Sequence, residues 1–209
     1  MRGRPAGVDA RRAPSARGCG AVILSVIILG LLGGAVVSDL RSRVVPRAVL
    51  ALLALLALWG KPWPWWVATA AAFLVPRREW TVYLLPLPLV AGVLTGDAAP
   101  VVALVVGLLA WYLSWWGGAD SALLVFLALR HGVLGLWVSA AALLIGGLTV
   151  LALRRRSLRS VAAVGLSLMV RGPTPEDAEI PAGSELPAAA ILGAAGVVLE
   201  ILRMLGVMS

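Results

Sequence analysis

Charge is scarce in this chain. Of its 209 residues only 13% are Asp, Glu, Lys or Arg, while 61% are hydrophobic. A soluble domain carries roughly 25% charged residues and about half apolar ones. There are too few charges here to cover a water-facing surface, which excludes a soluble globular domain. The high apolar content equally excludes a disordered chain. Asn and Gln are absent, and Arg outnumbers Lys by 17 to 1. The missing amides fit a thermophilic source, although a GC-rich genome also favours Arg and Ala. One Cys (Cys19) and one His (His131) exclude a disulfide framework and a His/Cys metal cluster within a single chain. The net charge of +8 is no nucleic-acid footprint, because the Arg residues are scattered between apolar runs and form no single basic face.

What is present is a succession of apolar runs, so the expected fold class is all-α: a polytopic membrane helical bundle of six to eight transmembrane helices. Residues 1–19 form a polar tail with five Arg, and residues 20–209 form the membrane-embedded domain. Gly20 to Val37 carries no charge and is just long enough to span. It ends at Ser38-Asp39-Leu40-Arg41-Ser42-Arg43 with no small-residue cleavage site, which argues for a helix and against a secretory signal. Val44–Trp59 follows, with Pro46 tolerated in the first turn. Lys61 to Trp66 is a Trp-rich turn suited to a membrane surface. Further apolar runs cover 65–76, 80–95, 98–116 and 121–129, with a break at Arg130-His131-Gly132. Another long run, 133–153, closes at Arg154-Arg155-Arg156. A weaker stretch at 158–170 suits the interface, 171–186 is a Pro-rich loop, and a last run from Leu186 carries Glu200 and Arg203 on one helix face.

Three acids sit at junctions of apolar runs, where ionisable groups are costly and are functional candidates. Asp97 follows Gly96 and reads as a turn residue. Asp39 ends a helix, where the dipole disfavours a negative charge, and Asp120 follows Gly117, Gly118 and Ala119, whose small size lets another backbone approach. Ser38 and Ser121, beside the two aspartates, are placed to hydrogen-bond a carboxyl. Both aspartates fall on one side of a membrane if the chain crosses an even number of times between them. Two crossings satisfy this, but four (44–59, 63–76, 80–95, 98–116) avoid a long interfacial excursion and are preferred. With Asp39 cytoplasmic, ten Arg face inward, and the five in the tail run against the positive-inside tendency. Either later charges dominate the topology, or translation begins closer to residue 20.

In this order and context, two short motifs resemble those of type IV prepilin peptidases, most closely the archaeal members that process preflagellins and pilins. Asp39-Leu40-Arg41-Ser42-Arg43-Val44-Val45-Pro46 is similar to their first aspartate motif, and Gly117-Gly118-Ala119-Asp120 to their second, Gly-x-(Gly or Ala)-Asp. Ile180-Pro181-Ala182-Gly183 loosely resembles a Pro-Phe-Gly-Pro segment of bacterial relatives. The sequence departs from the family in having Arg47 where many members have Asn, and in lacking Cys-x-x-Cys. The second departure puts the methyltransferase activity of some bacterial enzymes in doubt here. The resemblance implies a membrane aspartyl endopeptidase with Asp39 and Asp120 as catalytic pair, no metal and no cofactor. Its substrates are prepilin- or preflagellin-type membrane proteins with a basic leader, cut at the cytoplasmic face of the plasma membrane. Gly117, Gly118 and Ala119 are expected to admit the substrate backbone beside Asp120. The acids Glu176, Asp177, Glu179 and Glu185 of the 171–186 loop offer either a solvated connector or a docking patch for the basic leader. The alternative is a proton-coupled transporter using the same aspartates as relays, which predicts inverted repeats and broken mid-membrane helices. Neither feature is visible in the sequence.

Overall fold

Leu, Val, Ile, Ala and Gly without a charge for more than four turns leave a backbone one low-energy option, an α-helix that satisfies its own hydrogen bonds. In the computed structural model, which describes residues 16–42, 44–74, 80–113, 117–153 and 188–207, this stretch is α1 (Ala16–Ser42), about 40 Å long at 1.5 Å per residue. All regular structure among the described residues is helical. Most of the tail, the 158–170 stretch, the acidic 171–186 loop and the Ile180–Gly183 segment lie outside the described residues.

Five short helical segments follow the first helix. Pro46, which has no N–H to leave unsatisfied, opens α2 (Arg47–Leu58), and its carbonyl accepts the Val49 and Leu50 amides at 3.0 and 3.3 Å. α3 is Trp63–Leu74. The 80–95 run divides at Leu85 into α4 (Thr81–Leu84) and α5 (Pro86–Thr95), because Pro86 and Pro88 cannot donate to the preceding turn. Gly96, at φ 73°, closes α5 by donating its N–H to the Gly92 carbonyl at 2.7 Å, a left-handed position that suits Gly. α6 is Ala98–Tyr112. These helices hold 4 to 15 residues, so each is shorter than the ~30 Å core of a bilayer. Among the described residues, Val22–Ser42 and Gly118–Thr149 are long and apolar enough to cross a membrane by length and composition, the second only when counted as one unbroken helix.

The segment α7 (Gly118–Leu153) does not run straight. Gly132 adopts φ 61°, ψ −138°, outside helical geometry. A Cβ placed on Gly135 would collide with the Leu127 carbonyl oxygen, eight residues earlier. In a straight helix those residues would stand about 12 Å apart. The chain therefore folds back at Gly132, which divides α7 into a first limb (118–131) and a second limb (133–153). The break expected at Arg130-His131-Gly132 is this turn. The last helix, α8 (Ala188–Met204), fixes the directions: Leu127 lies against Gly196, Arg130 reaches Glu200, and Ile191 presses on Gly146. The first limb thus runs parallel to α8 and the second antiparallel. α1 is antiparallel to α8, with Ser25 at Glu200, Val36 at Gly193 and Asp39 at Ala190.

Seven consecutive residues of the first limb, Leu123 to Leu129, are buried. A helix apolar on all sides belongs in the middle of a bundle, and α7 packs against α2, α6 and α8. Ser121 ties it to α6 by donating to the Gly107 carbonyl at 2.9 Å. The second limb is peripheral, with Trp137, Leu144 and Ile145 exposed.

Candidate active site

Three helices converge on Gly196 of α8. A Cβ added there would lie 3.0 Å from Cδ2 of Leu127 and 3.1 Å from Cδ1 of Leu32, so α1 and the first limb of α7 meet across a single glycine. Asp39 follows Leu32 by seven residues and Asp120 precedes Leu127 by seven. Seven residues are close to two turns, so each aspartate leaves its helix from the same face as the leucine. Because α1 runs against α8 and the first limb runs with it, both steps lead the same way, about 10 Å toward the N-terminus of α8. The fold therefore brings Asp39 and Asp120 to the same end of the three-helix wedge, the one at the N-terminus of α8. Ala188, Ala189 and Ala190 of α8 stand at that level with the smallest side chain that keeps a Cβ.

Asp39 is only 7% exposed, and its Oδ2 accepts the Ala190 N–H at 2.8 Å. The first amides of any helix lack intrahelical partners, and here a carboxylate from a distant helix supplies one. The positive end of α8 thus offsets the unfavourable position of Asp39 near the C-terminus of its own helix. Asp120 sits in the first turn of α7 and reaches back, accepting the Gly117 N–H on Oδ2 at 2.9 Å, the reciprocal half of a capping box. Gly117 and Gly118 are exposed, and a Cβ on Gly118 would meet open space, so room exists beside Asp120. Ala119 instead packs partly against the core.

Two neighbouring residues act differently from the sequence reading. Ser38 donates to the Val44 carbonyl at 2.6 Å and Ser121 to Gly107, so both hydroxyls tie backbone, the first bracing the turn after α1. Asp97 is a turn residue as read, and it pairs with Lys61 at 3.2 Å.

At the other end of the wedge is a cluster that the motifs did not reveal. Glu200 is fully buried. Its Oε2 accepts the Ser25 hydroxyl at 3.0 Å and its Oε1 the Arg130 Nε at 2.7 Å, with His131 Nε2 at 3.7 Å. The available signal was an acid in one apolar run and a base in another, each needing a partner at membrane depth. Among the described residues no three His, Cys, Asp or Glu side chains gather as a metal cage.

No protein-family model, curated protein or solved structure matches the chain.

Proposed function

We propose that the protein is a membrane aspartyl endopeptidase that removes the basic leader of prepilin- or preflagellin-type substrates, with Asp39 and Asp120 as its catalytic pair. The observation that carries this reading is their common position: each lies two turns from the Gly196 contact, toward the same end of the wedge. Two carboxyls that share a site do not both ionise. The ionised one takes a proton from water as the water attacks the scissile carbonyl, and the protonated one donates a hydrogen bond to that carbonyl oxygen. The pair titrates as a unit, and no covalent intermediate forms. A helical substrate hides its amides, so the segment to be cut enters extended, along the open side at Gly117 and Gly118. In this reading the chain is multi-pass in the plasma membrane, with exposed apolar side chains of α1 and the second limb facing lipid and the aspartate end at the cytoplasmic face.

Co-expression with a candidate prepilin, reading product mass, tests the proposal. The parent releases the leader, and Asp39→Asn and Asp120→Asn each leave the substrate intact while remaining inserted. Cleavage by either variant near the parent rate overturns it.

A further inference from the structure

We infer that Glu200 is a positioning residue for the two aspartates, acting as the pin that sets the register of α1 and the first limb of α7 against α8. Its importance for cleavage rests on the endopeptidase reading, but its effect on register does not. Three observations converge on it. Glu200 is fully buried, and its two oxygens engage different helices, Ser25 of α1 and Arg130 of α7. Between these contacts and the aspartates the seam is apolar, with Gly193 and Gly196 of α8 lying against Val36, Leu32 and Leu127. Apolar side chains lying on glycines oppose sliding weakly, whereas a carboxylate held by directed hydrogen bonds on two sides has one good position. Finally, the elements pinned are those that carry the site, since α1 bears Asp39, the first limb bears Asp120, and the Ala190 amide at the start of α8 holds Asp39. Ala190 precedes Glu200 by ten residues, about 15 Å along a rigid helix, so a displacement at the pin is transmitted to the aspartate end.

A register reporter independent of activity is built into the same seam. A Cβ on Gly193 would stand 3.9 Å from Cβ of Val36, within the separation a disulfide requires. The full-length protein carrying Cys19→Ser, Val36→Cys and Gly193→Cys is expected to cross-link readily in membranes under mild oxidation. Adding Glu200→Ala or Arg130→Ala is expected to cut the cross-linking rate several-fold. Arg130→Lys, which keeps a charge and a donor, regains most of it. Should Glu200→Ala fail to accumulate, Glu200→Gln preserves the volume and the acceptor for Ser25 and still weakens the bond to Arg130, so it too slows cross-linking. Rates unchanged in the alanine variants, or in Glu200→Gln where it replaces them, overturn the inference.

In the cleavage assay, with Val36 and Gly193 restored, loss of the pin is expected to lower kcat by about 100-fold, with KM changed little, because misplacement by about 1 Å is sufficient for that. Arg130→Lys recovers kcat. A KM effect alone, or no recovery, overturns the positioning role. A parent that cross-links in a Glu200-dependent way yet cleaves no leader supports the pin and overturns the endopeptidase reading.

Discussion

The two ends of the wedge formed by α1, the first limb of α7 and α8 both hold carboxylates, and they are built in opposite ways. At the Glu200 end the carboxylate is sealed from solvent and held by side chains from two other helices, one on each oxygen. At the aspartate end Asp39, itself only 7% exposed, accepts the Ala190 amide and Asp120 accepts the Gly117 amide, both at helix N-termini, and the glycines beside Asp120 are exposed. A carboxylate that holds helices together gains from closure and from charged partners. One that must exchange protons with water and meet a substrate needs an open side and small neighbours. The same functional group thus serves cohesion at one end and, in the proposed reading, chemistry at the other.

The sharpest way to break this comparison is to remove ionisability at each end in turn. Asp39→Asn and Asp120→Asn should lower cleavage by roughly 10³-fold or more with little change in thermal unfolding, since Asn keeps an oxygen for the Ala190 or Gly117 amide. A large loss of stability in either variant would make the aspartate end structural. Glu200→Ala should do the reverse first, destabilising the protein by about 3–5 kcal/mol, because it strands the Arg130 charge in the interior. Unfolding in detergent, followed by circular dichroism, measures this. Gly196→Val tests the contact that joins the two ends. Its branched side chain would collide with Leu32 and Leu127, at a cost of about 1–3 kcal/mol, and should separate the aspartate-bearing helices, so activity should fall more than stability does. The smallest effect is expected at Lys61. Its pair with Asp97 has side chains 28% and 33% exposed, so Lys61→Ala should change stability by less than about 1 kcal/mol and leave cleavage unaltered. A larger effect would mean that the α3–α5 region, remote from the wedge, takes part in the site.

Several elements were readable without coordinates. The uncharged run before Asp39 could only be a helix, the Gly132 break followed from charged residues beside a glycine, and Asp97 followed from its place after Gly96. Pro86 and Pro88 were equally visible, yet their division of the 80–95 run was missed because the hydrophobic pattern continues across them. Ser38 and Ser121, which could reach the neighbouring carboxyls, instead bond main-chain carbonyls, since sequence adjacency to a carboxylate says nothing about which acceptor a hydroxyl reaches after the chain turns.

What the sequence determined by itself is local and compositional: all-helical structure, because apolar runs without water must bond their own backbone, and two aspartates at helix ends, because helix limits are written in glycine, proline and charge. Only the tertiary structure decided which helix ends meet. Asp39 finds the Ala190 amide 151 positions away, and Glu200 finds Ser25 and Arg130 at separations of 175 and 70. Those pairings depend on the reversal at Gly132 and on glycines that let three helices close on one point. Periodicity along one chain segment carries no information about which other segment will face it.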